Sequence, residues 1–477
     1  MNLKINKFLI ILFIIIFSWE IGYAFGIGND RTLDLSFVFL FTIFLVLLSL
    51  QENRKTILFN IFLVSVACSS LSYLINIPGL RISASEMAIL ILFSLILLLK
   101  LGKFSFINFS KSEQGILIFS ALYVLGGFLP YLFTHIGLNH LNYWIHSCVM
   151  PSIIFYISFS LISNFRQIEK SMLVACLSMV GFLILTILAF CTEHGEQMRF
   201  HGQQGQLTAV VKLGKINYTC WANWIGAMAA MIFPLFFLSS ITRLINRYGL
   251  FYIFGAILSL YFVYRAGTRG GVLGLGVSIV IIIGLCFYRL KSAGKHLRRV
   301  VILSIATVTV ASFININISS TVEKKFRDLI YNRTESGTYK YRASLLSDAY
   351  SLAFKNPIGT GFNDLWVKYH IDEANFFSWS ANGVGLLGVI GFWGVWIMLA
   401  TSFIRGLFNI DLNKRFYSIV GLSTLVSTSI AANSSDQILH EPQTVLPFWL
   451  IMGAAFKALQ LHQDQQKFRK EEQQLAH

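Results

Sequence analysis

Runs of roughly 16 to 22 apolar residues recur along the whole chain between short polar or charged stretches, each long enough to cross a hydrocarbon core of about 30 Å as a helix. They begin near residues 8, 35, 56, 85, 115, 143, 171, 219, 249, 271, 300, 380, 416 and 444, about fourteen in all. Backbone in lipid must satisfy its own hydrogen bonds, which leaves helices or a closed barrel, and runs of this length specify helices. The pattern predicts an all-α fold, a polytopic membrane bundle of about 14 transmembrane helices. The first run follows Lys4 and Lys7 as a signal peptide would, but Glu20 and bulky residues occupy the end where small residues mark cleavage. It is read as a retained span.

One interval is too long for a loop. Within 316–379, "TVEKKFRDLI" and "YRASLLSDAYSLAFKNPIG" place Val322, Phe326 and Leu329, then Leu346, Ala349, Tyr350 and Ala353, at helical spacing. Asn356-Pro357 and Gly359 stop the second helix. The expected organisation is a bundle over 1–315 with a polar loop at 192–218, a helical periplasmic segment over 316–379, the last three spans over 380–460, and a polar cytoplasmic tail over 461–477. A helical subdomain standing over a bundle roofs a cleft suited to an active site.

Composition fixes the solvent and the orientation. Of 477 residues, 55% are hydrophobic and 13% charged, with mean hydropathy +0.66, about half the charge of a soluble protein. With the N-terminus inside, about 23 Lys and Arg fall on the cytoplasmic side and about 15 outside, most of the latter in the one long segment that the charge rule exempts. The short loops "RLKSAGKHLRR" and "IRGLFNIDLNKR" are dense on the inner side. Both termini are therefore expected in the cytoplasm. The net charge of +16 follows from this bias and suits the anionic headgroups of a lipid bilayer; nothing in it calls for nucleic acid. The six cysteines, Cys68, Cys148, Cys176, Cys191, Cys220 and Cys286, have neither CxxC nor metal-like spacing with histidine and read as membrane packing. Cys191 and Cys220 flank one outer loop, where an oxidising compartment would allow them to pair. No P-loop, GxGxxG or kinase-like signature stands on the inner side.

The polar material that remains collects outside: 192–218, the turn in "YRAGTRGGVLGLG", 316–379 and "NSSDQILHEPQ" at 433–443. In that turn Arg265 and Arg269 separate two apolar runs. Two accounts fit them. Arginines at span ends snorkel to headgroups; they also present a rigid fork of donors matched to phosphate oxygens, with Gly267, Gly270 and Gly271 allowing close approach. The anion at that depth would be a lipid-linked phosphate or diphosphate.

A "TRGG" turn opening a span, a long outer segment with Arg342 before a helix in "TYKYRASLLSDAYSLAFKNPIGTGFNDL", and an Asn-aromatic stretch leading into a Gly-rich span in "ANFFSWSANGVGLLGVIG" occur in this order over roughly 200–400. The arrangement resembles the O-antigen ligase and O-antigen polymerase superfamily of bacterial envelope glycosyltransferases. The resemblance implies a multi-pass enzyme of the bacterial inner membrane with its active site on the periplasmic face, independent of metal and of any cofactor. Its donor would be an undecaprenyl-diphosphate-linked glycan, and its acceptor a sugar hydroxyl of a growing glycan or of lipid A core. A chain-length regulator protein is a further partner of the polymerase type. Arg265, Arg269 and Arg342 would hold the diphosphate as it leaves. Arg199 and Glu441 are candidates for contact with donor or acceptor.

The chain departs from the pattern at one place. The family's stretch begins with a His-Asn pair whose histidine is the proposed base, and here it reads Ala374-Asn375. Neutral histidine accepts a proton near pH 7 and alanine cannot. Either this chain is inactive or weakly active, or another group acts: Glu373, Asp372, His370, or His440-Glu441 in the last outer loop, with His194 and His201 more remote. Trp366, Phe376, Phe377 and Trp379 either stack on sugar or lipid or belong to an interfacial aromatic belt. The polymerase is expected over the ligase because the spans exceed a dozen and the outer loops are not heavily basic. A lipid-linked oligosaccharide flippase is the reading from another class. It would favour repeated halves and charges along the spans, whereas no internal repeat is evident and Glu20 stands out as the mid-span charge.

Overall fold

The computed structural model describes residues 54–69, 73–77, 80–101, 109–133, 138–191, 208–213, 216–243, 249–266, 269–289, 348–362 except 349 and 353, 376–409, 411–432, 439 and 441–475. The runs expected near 8, 35 and 300 lie outside them, as does the helix expected around 322–329.

Every other apolar run falls on a helix. In chain order these are α1 (Arg54–Ala67), α2 (Ala84–Leu101), α3 (Lys111–Phe133), α4 (Leu138–Trp144), α5 (Met150–Leu161), α6 (Phe165–Cys191), α7 (Ala222–Arg243), α8 (Gly249–Ala266), α9 (Arg269–Arg289), α10 (Phe376–Leu407), α11 (Leu412–Ala432) and α12 (Pro442–Leu475). A single π-turn, Ile145–Val149, joins α4 to α5 without breaking the helical path. Among the described residues five helices are long and apolar enough to cross a membrane: Lys111–Phe133, His140–Leu161, Phe165–Ile184, Gly383–Leu407 and Gln443–Leu461. Lys55–Ala67, Ala84–Leu99, Trp224–Ser240, Gly249–Val263 and Gly270–Leu285 are shorter apolar helices. The helical path of α12 continues to Leu475 through the segment expected as a polar tail.

Two antiparallel hairpins depart from the all-α expectation: β1 (Tyr73–Ile77) with β2 (Leu80–Ser83), and β3 (Thr208–Leu213) with β4 (Ile216–Trp221). Each lies in an interhelical connection, where paired backbone closes a turn without lengthening a span.

Packing follows small residues. The most extensive contact is α3 on α10, where a Cβ on Gly126 would collide with the backbone of Gly388. Such close approach is how membrane helices gain dispersion energy without a hydrophobic driving force between them. Helix α8 packs on α7, α9 on α11 and α7, and α12 on α6 and α5. Helix α11 carries the buried hydroxyls of Ser418, Ser423, Thr424, Ser427 and Thr428. Two of these hydroxyls are satisfied within the helix: Ser418 Oγ donates to Lys414 O at 2.7 Å and Thr428 Oγ1 to Thr424 O at 2.7 Å. Ser427 Oγ instead crosses to Ala230 O of α7 at 2.8 Å.

The expectation that Glu20 stands apart as a mid-span charge needs correction. Lys457, inside the apolar span of α12, donates to Glu113 Oε1 of α3 at 2.6 Å, and both are buried. Glu113 also closes a capping box, since Ser110 N donates to its Oε2 at 2.8 Å and Glu113 N donates to Ser110 Oγ at 3.3 Å. A second capping box opens α2: Ser83 N donates to Glu86 Oε2 at 2.9 Å and Glu86 N to Ser83 Oγ at 3.1 Å. Its other oxygen, Oε1, hydrogen-bonds to His146 Nδ1. The two boxes read Ser83-Ala84-Ser85-Glu86 and Ser110-Lys111-Ser112-Glu113. In each, a carboxylate caps its own helix with one oxygen and holds a distant basic side chain with the other.

Candidate active site at one end of the helix bundle

Contacts between helices fix which ends lie together. Gly274, near the start of α9, lies against the carbonyl of Ser427, near the end of α11. Trp396 Nε1 of α10 donates to Ser429 Oγ of α11 at 2.9 Å, and the later residue Gly406 of α10 meets Ser418 in the first turns of α11. Tyr123, toward the end of α3, shares a 3.0 Å hydrogen bond with Ser380 near the start of α10. One end of the bundle therefore gathers the ends of α3, α8 and α11 and the starts of α9, α10 and α12. The opposite end holds Glu113, Lys414 and Lys457.

The turn of the sequence analysis sits at the first end. Arg265 lies in the last turn of α8, which ends at Ala266, and Arg269 opens α9. Helix α10 begins there at Phe376, one residue after Asn375. Helix α12 begins there too, with Glu441 at its N-cap position and Pro442 at N1, a pairing suited to a helix start. The carbonyl of Glu441 accepts from Thr444 N at 3.0 Å and Val445 N at 2.9 Å. Arg199, Arg342, Glu373, Ala374, Asn375 and His440 lie outside the described residues.

The end of the long segment is built into this site. Residues 348–355 are helical where described, and the helix stops at the expected Asn356-Pro357: Asn356 N bonds to Leu352 O at 2.8 Å, Gly359 N to Asn356 O at 2.9 Å, and Gly359 turns with φ 93°. The turn crosses α10 where α10 itself breaks. Gly385 has φ 65° and ψ −171°, a left-handed conformation that side chains disfavour, and the adjacent Leu386 N donates to Pro357 O at 3.0 Å. A Cβ on Gly385 would meet the backbone of Ile358 and Gly359. Two loops of chain thus lock backbone to backbone, and residues 376–384 form a short helix set apart from the span below.

Side chains hold the crossing in place. Trp393 Nε1 donates to Tyr350 Oη at 2.9 Å; burial keeps the Tyr350 phenol above its ordinary range, so it is a neutral acceptor. The fully buried Phe362 ring fills the space beside Gly383. Phe377, a candidate for stacking on sugar, is 6% exposed and stacked on Trp393 at 5.5 Å; it belongs to the core. The thiols of Cys68, Cys148 and Cys176 are free.

Sequence reasoning passed over His140 and His146. His140, in α4, donates from Nε2 to Gly127 O at 2.8 Å and accepts at Nδ1 from Phe362 N at 2.8 Å. His146, in the π-turn, lies between Glu86 and Asn142 Oδ1, the latter 3.1 Å from Nε2. Both come from "HLNYWIH", and two histidines in an apolar run are themselves a signal, because ionisable groups at membrane depth persist where they are paired or used.

A multi-pass helical membrane protein with a broken span at one end of its bundle is the class that the fold defines. Residues 254–392 match the family model described as O-antigen ligase. The match runs from α8 through the arginine turn to the broken part of α10, and so shows over these residues the resemblance to the O-antigen ligase and polymerase superfamily. It supports, at the level of the family, a membrane glycosyltransferase. No curated protein matches the chain.

Proposed function

We propose that the chain is a polymerase of O-antigen or surface polysaccharide. It moves a glycan from undecaprenyl diphosphate to an acceptor sugar hydroxyl on the periplasmic face of the inner membrane. The observation that carries the glycosyltransferase part of this reading is the match over 254–392, which includes Arg265, Arg269 and the broken helix α10. In the reaction the acceptor oxygen forms a bond to the anomeric carbon, the bond from that carbon to the diphosphate oxygen breaks, and the hydroxyl proton passes to a base. Arg265, Arg269 and Arg342 hold the diphosphate and spread the charge it gains on leaving. Arg199 and Glu441 contact donor or acceptor sugars. The chemistry asks nothing of a metal or cofactor.

The assay is conversion of an undecaprenyl-diphosphate-linked repeat unit by purified protein in nanodiscs, with release of undecaprenyl diphosphate as the readout. Arg265→Ala, Arg269→Ala and Arg342→Ala are each expected to lower kcat/KM at least about tenfold, the size of one lost charge-assisted contact in a partly dry site. Lysine at these positions restores part of the loss, because a point charge replaces a fork. Unchanged kcat/KM in all three alanine variants overturns the diphosphate site.

The ligase reading has the family description in its favour. The polymerase is supported by the number of expected spans and by outer loops that are not strongly basic. Donor alone decides between them: a polymerase lengthens it, whereas a ligase turns over only when lipid A core is added. A chain-length regulator protein would narrow the polymer's size range.

Sidedness rests on charge. Lys55, Lys414 and Lys457 belong to the end opposite the arginine turn, as expected for a cytoplasmic face. A cysteine introduced by Ser336→Cys is expected to react with an impermeant maleimide from the periplasmic side of spheroplasts. Reaction from the cytoplasmic side alone overturns this orientation.

A further inference from the structure

His140 is 1% exposed and belongs to none of the roles above. Its two ring nitrogens face partners of opposite kind. Phe362 N–H is a donor, so Nδ1 carries no proton; Gly127 C=O is an acceptor, so Nε2 carries one. The ring also stacks on the Phe362 ring, with centroids 5.2 Å apart and planes 26° apart. Phe362 is the last described residue of the outer segment before the stretch that leads to Ala374 and Asn375, and its ring fills the space beside Gly383, two turns into α10. Three pieces of chain meet on this side chain: α3 through Gly127, α4 through its own backbone, and the outer segment through the Phe362 amide.

We infer that His140 is a positioning residue for glycosyl transfer, a neutral clasp whose Nδ1 fixes the outer segment at Phe362 and through it the approach to the start of α10. The inference rests on the transferase reading for its functional half, while the clasp itself is a property of the fold. No group other than an acceptor at this point suits the buried Phe362 N–H, because a buried donor left unpaired loses the full value of its hydration. The Gly127 bond orients the ring; the Phe362 bond attaches the segment. The two bonds can be separated by substitution. Asparagine places an acceptor oxygen near the position of Nδ1 and nothing at Nε2. Glutamine reaches the position of Nε2 with a donor and takes the acceptor at Nδ1 away from Phe362 N–H. A side chain that merely fills space would not distinguish them.

The test uses the full chain in nanodiscs, as His140→Asn, His140→Gln and His140→Ala, with two readouts. Hydrogen exchange of the peptide covering 356–362 reports the clasp without reference to activity. Release of undecaprenyl diphosphate from the lipid-linked repeat unit reports transfer. His140→Gln and His140→Ala are expected to speed exchange in this peptide and to lower kcat about tenfold or more, the range for an orphaned buried donor, while His140→Asn stays within about threefold of the parent in both. If His140→Asn is as impaired as His140→Ala, or if all three equal the parent, the inference is overturned. A chain that transfers no glycan either as it stands or with Ala374→His, but shows the expected exchange pattern, removes the transferase reading and leaves the clasp standing. A parent that transfers glycan with exchange indifferent to residue 140 removes the clasp alone.

Discussion

Ala374→His is expected to raise turnover on a lipid-linked glycan by about 10² to 10⁴, the usual value of a positioned general base. The expectation follows from a hydroxyl acceptor that must lose a proton as it attacks, and from the resemblance, which implies imidazole where this chain has the methyl group of Ala374. The structure adds a physical reason for that place. Helix α10 begins at Phe376, two positions after residue 374 in the sequence, and the partial positive charge of a helix N-terminus disfavours imidazolium and favours the neutral, basic form of a histidine near it. The break at Gly385 leaves 376–384 as a separate short helix bound to the outer segment rather than a direct continuation of the span. The rival is that Glu373 or His440 has taken over the proton. The parent is then fully active, Ala374→His gains nothing, and Glu373→Gln or His440→Ala abolishes transfer. Four proteins on one substrate decide it: a fully active parent with no gain from Ala374→His removes the reading of residue 374 as a lost base.

The helices were legible because a span is a matter of length and hydropathy, and both are local. The stop at Asn356-Pro357 was legible because proline and glycine act on their own backbone. The capping boxes were legible too, as Ser-x-Ser-Glu before an apolar run, yet attention to charges as chemistry passed over charges as caps. The hairpins over 73–83 and 208–221 carried no alternation strong enough to set them apart from loop. The break in α10 was hidden among alternatives: "NGVGLLGVIG" offers several glycines, and only contact with Pro357 and Gly359 selects Gly385. The contacts of His140 with Phe362 and of Lys457 with Glu113 span 222 and 344 residues, separations over which a single sequence carries no pairing information. Arg265 and Arg269 are candidates from the sequence around "TRGG" alone, while the contact of His140 with Phe362 depends on tertiary structure.

The far end of the bundle carries the other large expected effect. Lys457 and Glu113 are paired at 2.6 Å and buried, so removing one charge strands the other in low dielectric, a loss of about 3 to 5 kcal/mol. Glu113→Gln is the informative single change, because glutamine still serves a capping box and the loss then measures charge rather than helix initiation. It leaves the Lys457 ammonium without its counter-ion, and Lys55 at the start of α1 is close enough to add repulsion. Lys457→Met should cost less, since the Glu113 carboxylate keeps the Ser110 amide at 2.8 Å and the positive end of α3. Combining Glu113→Gln with Lys457→Met removes both charges and is expected to return stability to within about 1 kcal/mol of the parent, as replacing a whole buried pair commonly does. Thermal unfolding in nanodiscs measures all four proteins. Glycosyl transfer at a temperature where each is folded should be alike, because the pair lies at the end opposite the arginine turn. A Glu113→Gln chain as stable as the parent, or a double variant no better than that single one, shows that the pair does not hold α12 to α3.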